Sequence, residues 1–94
     1  EDSFGALQIA EYKGNEFQYR GKVGTGFDDA TMREISMVLK KLKKTPKPSV
    51  VGKILDEKSS TWLEPKIAAE ISYAQITSDK MFREPVFVKL IVNV

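Results

Sequence analysis

The stretch "RGKVGTGFDDAT", residues 20–31, decides the fold, because the pattern of the chain changes period inside it. Before it, "EFQYRGKV" (16–23) alternates strictly. Phe17, Tyr19, Gly21 and Val23 share one face of a strand, and Gln18, Arg20 and Lys22 the other. After it, Met32, Ile35, Val38, Leu39 and Leu42 recur at helical spacing and form one apolar stripe. The stretch therefore hands a strand over to a helix. Gly24 and Gly26 supply the freedom to take positive φ at the hinge. Asp28 or Asp29 caps the helix, since a short carboxylate accepts the orphan amides of the first turn. A nucleotide loop fits the same letters poorly. A Walker loop places its lysine after the last glycine, whereas Lys22 precedes Gly24 and Gly26. A dinucleotide fingerprint needs a third glycine where Asp29 stands, and that charge repels a pyrophosphate.

Working outward, residues 5–12 alternate around Leu7 and Ile9, and "KGN" (13–15) is a turn, so the first two strands form an antiparallel hairpin. "TPKP" (45–48) stops the helix, because proline cannot donate to it. Residues 49–55 read as a short strand with a bend at Gly52, followed by a polar loop. In "KIAAEISYAQI" (66–76), Ile67, Ala69, Ile71 and Tyr73 alternate with Ala68, Glu70, Ser72 and Ala74, which favours a strand with Tyr73 in line with Ile71 on a core face. "TSDK" (77–80) is a turn, and "VFVKLIVNV" (86–94) is strongly β. The order is β–β–α–β–β–β. It predicts an all-β fold with one helix: an OB-fold, a five-stranded Greek-key barrel with the helix packed at one end. A split α+β sheet fits less well, since there is one good helix.

The chain has 94 residues, which suits a single domain over 1–94, and it opens on Glu1, which reads as a segment of a longer protein. It has no cysteine and no histidine, which excludes disulfides, thiolate chemistry, the usual zinc sites and histidine acid–base catalysis. No apolar run approaches a membrane span. The net charge is only +2, but Lys40, Lys41, Lys43, Lys44, Lys47 and Lys53 fall with no acid among them. Lysines at a helix end are commonly dipole complements on a solvated face, and that reading is favoured for this run.

"FGALQIAEY", "YRGKVGTGFDDATMREI", "WLEPKIAAEISYAQIT" and "FREPVFVKL" stand in the order seen in the C-terminal OB domain of ATP-dependent DNA ligases of the bacterial and archaeal ligase D group. This resemblance covers Phe4 to Leu90. It implies an enzyme that seals nicks in duplex DNA, with ATP and Mg serving the parent enzyme and no cofactor in this domain. It implies an adenylylated lysine in a nucleotidyltransferase domain of the same chain, and nicked double-stranded DNA as partner. It further implies a monomeric protein of the cytoplasm or nucleoid, without a membrane. The family's terminal Arg-x-Asp-Lys motif falls on Ile91, Asn93 and Val94, so none of its three residues is retained. At the position where some relatives carry an aromatic wedge stands Glu84, which does not unstack bases.

Arg20, Lys22, Thr25, Lys53, Arg83 and Lys89 are the DNA-facing candidates; none is a catalytic or metal-binding residue. Basic side chains neutralise phosphates without reading sequence, which suits an enzyme that acts on any nick. For each, the ordinary alternative is a solvated strand charge. Trp62 and Tyr73 suit stacking on bases, but packing at a barrel rim and in a core are the commoner roles. Two other functions stay open: a stand-alone OB module for single-stranded nucleic acid, and a non-catalytic interaction domain.

Overall fold

A computed structural model describes residues 5–91. The elements are β1 (Leu7–Lys13), β2 (Glu16–Val23), α1 (Asp29–Lys40), a short 3-10 turn (Glu57–Ser59), β3 (Ala68–Ser72), β4 (Gln75–Ile76), β5 (Phe82–Arg83) and β6 (Val86–Ile91). They are mostly strands with one helix, as the sequence pattern implies. The strands pair antiparallel in three two-stranded ladders, β1–β2, β3–β6 and β4–β5; no closed five-stranded barrel is formed among the described residues.

The hairpin β1–β2 turns at Gly14 (φ 54°) and Asn15 (φ 72°). Two successive positive φ values match the right-handed strand twist, and Gly and Asn tolerate them best. The register shifts between Ile9 and Ala10, pairing Ile9 with Gly21 and Ala10 with Tyr19, so Arg20 is the extra residue of a bulge. This breaks the alternation. Tyr19, Arg20 and Gly21 are buried in succession, and Arg20 does not share a solvated face with Lys22.

α1 starts where the aspartates predict. Asp28 is the N-cap, and its Oδ1 accepts from the Thr31 amide at 2.7 Å. That hydrogen bond holds the Asp28 carboxyl below its ordinary value of 3.8. A carboxylate whose folded pKa is depressed stabilises above its unfolded value and loses that contribution as pH falls through the folded one. Stability to urea, followed from roughly pH 5 down to pH 2, should therefore fall in part through Asp28. Asp28→Asn should flatten that portion of the curve while keeping a neutral cap; an unchanged acid limb would remove Asp28 from the account.

The helix ends at Lys40, before Leu42 and before the prolines. Lys43 to Thr45 are drawn into an extended pairing with Trp62 to Glu64 instead, through Thr45 N to Trp62 O (2.9 Å) and Glu64 N to Lys43 O (3.0 Å). Residues 49–55 are not a strand. They touch β2 by a single parallel bridge, with Val51 N donating to Phe17 O (2.8 Å) and Tyr19 N to Val51 O (2.9 Å). Side chains secure the rest of the segment. Tyr19 Oη donates to Gln8 Oε1 (2.5 Å) and accepts from Leu55 N (3.2 Å), while Gln8 Nε2 reaches Leu55 O (2.6 Å) and Ser60 Oγ (2.9 Å). Burial pushes the Tyr19 hydroxyl above its usual range, consistent with a neutral group at the centre of this network.

The long strand foreseen over 66–76 is broken in two. β3 pairs with β6 and β4 with β5, and Tyr73 lies between β3 and β4. Tyr73 is 43% exposed, stacking on Phe82 with centroids 3.9 Å apart rather than entering the core beside Ile71. Trp62 is half-buried. The core is formed by Val23 from β2, Ile35 from α1 and Phe87 from β6, with Leu7, Ile9, Phe27, Leu39, Ala69, Ile71 and Leu90 packed around them. Each large apolar side chain so buried contributes roughly 1.5–3 kcal/mol. The glycine loop closes this core. Thr25 O accepts from Phe87 N at 2.8 Å, and Phe27 meets Phe87 with centroids 4.9 Å apart.

Candidate nucleic-acid interface

The six basic and polar positions singled out in the sequence meet different fates. Arg20 is 3% exposed. Its Nε and Nη2 donate to Glu11 Oε1 at 3.0 and 2.7 Å, and its Nη1 donates to the Lys80 carbonyl at 2.7 Å. The guanidinium lies 5.4 Å from the centroid of the Phe82 ring. A planar donor with five N–H groups suits such a junction, and here it ties the first hairpin to the β4–β5 turn. The alternation argument missed this. The available signal was Gly21, since an isolated glycine within an alternating strand marks a bulge.

Lys22 is half-exposed and pairs with Asp56. The hydrogen bond to Asp56 holds its ammonium above the ordinary lysine value, so it is a cation throughout the neutral range. Thr25 is exposed, and its backbone is anchored on Phe87. Lys53 is exposed and borders a shallow depression shared with Lys47 and Glu57. Lys47 Nζ stands 3.1 Å from Glu57 Oε2. Because Asp56 and Glu57 are neighbours, Lys22, Lys47 and Lys53 gather around one turn of the chain. Arg83 and Lys89 are exposed on β5 and β6. Lys89 pairs with Glu70 across the β3–β6 ladder, with 4.0 Å between Nζ and Oε1.

Two further features were not legible beforehand. The Tyr73–Phe82 pair stacks nearly parallel, at 3° between planes. Glu84 adopts φ 55° at the junction of β5 and β6. Ile91 ends β6, while Asn93 and Val94, the other two positions of the family's terminal motif, lie outside the described residues, as does Phe4. Among the described residues no group of three or more acidic side chains converges in a way that could hold a metal ion. No helix among them is long and apolar enough to cross a membrane.

The fold resembles that of the ligase domain of M. tuberculosis LigD, with a TM-score of 0.72 at 24% identity, covering 92% of this chain and 29% of that one. Among curated proteins, the multifunctional non-homologous end joining protein LigD of Pseudomonas aeruginosa is 33% identical over 87 residues, 88% of this chain and 10% of that protein. A DNA ligase of Ignicoccus hospitalis is 36% identical over 78 residues, 80% of this chain and 13% of that protein. The chain thus spans about a tenth of the length of these relatives. The family described as the ATP dependent DNA ligase C terminal region matches residues 1–91. With its sheet-rich architecture and one capped helix, the chain belongs to that family of C-terminal ligase domains.

Proposed function

We propose that this domain works as the part of an ATP-dependent DNA ligase that closes around nicked duplex DNA and assists sealing through contacts to the backbone. The observation that carries this reading is the family match over residues 1–91. The half-exposed Lys22 and the exposed cations Lys53, Arg83 and Lys89, with the hydroxyl of Thr25, are the side chains proposed to meet phosphate. They are suited to it because a phosphodiester asks only for positive charge and donors, not for a base-specific pattern. Arg20 enters the proposal through position, since its guanidinium is committed to Glu11 and Lys80. In this reading ATP and Mg belong to the nucleotidyltransferase domain of the same chain, where the adenylylated lysine resides, and the enzyme acts as a monomer in the cytoplasm or nucleoid.

The test is fluorescence anisotropy with labelled nicked duplex, intact duplex and single strand over a range of salt, on the full-length protein. Lys22→Ala and Lys53→Ala should each weaken binding to the nicked duplex about threefold at low salt, and each should lower the slope of log K against log salt by roughly 0.9. Unchanged affinity and slope in both variants would take the two lysines out of the interface. A clear preference for single strands would replace the clamp with a single-strand module, for which the exposed Tyr73–Phe82 stack is the feature to mutate next.

A further inference from the structure

Two of the cations around the turn that begins at Asp56, Lys22 and Lys47, are already occupied, and by two consecutive carboxylates. Asp56 holds Lys22 of β2, and Glu57 holds Lys47 of the lysine-rich segment. The four side chains are open to solvent, at 35% and 58% for Lys22 and Asp56 and 52% and 44% for Lys47 and Glu57. Ion pairs this exposed are weak, so a competing anion can exchange with them. The backbone beneath is fixed. Leu55 is held through both its N–H and its carbonyl, by Tyr19 and Gln8, and the Asp56 carbonyl accepts from Ser60 Oγ at 2.8 Å. Exchange therefore asks only for rotation of two side chains.

We propose that the Asp56–Glu57 turn is an internal phosphate mimic: in the free domain its carboxylates occupy Lys22 and Lys47, and the phosphodiester oxygens of bound DNA displace them. This rests on the reading of Lys22 as a phosphate contact. The device keeps the basic surface quiet toward weak or solitary anions, because any ligand must replace two paired charges before it gains from them. A DNA backbone, which presents successive phosphates to both lysines, meets that requirement better than a free ion does.

The experiment uses the full-length protein and the same labelled nicked duplex. Asp56→Asn is the informative variant, because Asp56 sits at φ 52° and asparagine tolerates that conformation. Asp56→Asn and Glu57→Gln should each tighten binding about threefold at low salt, with the gain shrinking as salt screens it. The gain from Asp56→Asn should vanish when Lys22 is already alanine, as a double-mutant cycle measures. If the gain persists without Lys22, it is a general effect of net charge and the mimic is overturned. If Lys22→Ala weakens binding but Asp56→Asn does not tighten it, the Lys22 contact stands and the mimic alone falls. If Lys22→Ala changes nothing, the contact and the mimic fall together. Thermal unfolding of each variant verifies that the comparison is between folded proteins.

Discussion

Gly26→Ala should destabilise the domain by about 4 kcal/mol, which for a domain of this size lowers the melting temperature by roughly 20 °C. Two separate terms add. Gly26 has φ 99°, outside the region an L-residue occupies comfortably, and holding a side chain there costs roughly 1–3 kcal/mol. A Cβ at Gly26 would also collide with the Phe87 carbonyl oxygen and come within 2.8 Å of its nitrogen and 2.9 Å of Val86 Cγ1. Two of those atoms are backbone and cannot rotate away. Yielding would mean prising the loop off β6 and opening the Thr25–Phe87 hydrogen bond that closes the core. Gly14→Ala provides the contrast. Its φ is 54°, but nothing lies within 4 Å of the added carbon, so only the conformational term of about 1 kcal/mol applies. Denaturant unfolding of both variants separates strain from collision. A Gly26 variant no less stable than the Gly14 variant would show that the loop is not tightly seated.

Arg20→Ala should cost about 3 kcal/mol. The loss does not come from the ion pair as such, because the Glu11 side chain is 48% exposed and rehydrates when abandoned. It comes from the Lys80 carbonyl that loses its donor, from the departed contact with the Phe82 ring, and from the space the buried side chain leaves. Glu11→Gln should therefore cost much less, about 1 kcal/mol or under, since the amide oxygen still accepts from the guanidinium. Affinity for nicked DNA distinguishes this structural role from a contact role. A stable Arg20→Ala protein with weakened DNA binding would contradict the burial-based account, whereas lost stability with little change in binding per folded molecule is the expected result.

What the sequence made visible were features written in local chemistry. The hairpin, its Gly14–Asn15 turn and the cap at Asp28 each depend on residues within a few positions of one another, and each appears where the pattern placed it, while of the two hinge glycines only Gly26, at φ 99°, takes the expected positive φ and Gly24 does not. The apolar stripe of α1 likewise delivers Ile35 to the core. What stayed hidden depends on partners far away. Residues 49–55 have the branched side chains of a strand, but β2 offers them only one bridge, and Tyr19 and Gln8 take over from the ladder. The alternation through 66–76 runs on past Ser72, yet β3 and β4 answer to different partner strands, so the ribbon must break at Tyr73. The candidate site divides along the same line. Lys53, Arg83 and Lys89 are exposed as their residue types suggest and Lys22 is half-exposed, while a one-residue bulge, silent in the binary pattern, takes Arg20 inside.

The Arg20–Lys80 tie also fixes when this domain can be finished. The donor lies 60 residues ahead of its acceptor, so during synthesis the first hairpin emerges with a guanidinium that has no carbonyl to meet. The bonds from Gln8 to Leu55 and Ser60 span 47 and 52 residues and wait in the same way. Such distant closures are slow to form and reward the chain only once both ends are present. The first hairpin therefore lacks these partners until the chain has been made at least as far as Lys80, and its side-chain ties belong to the finished domain rather than to the hairpin alone.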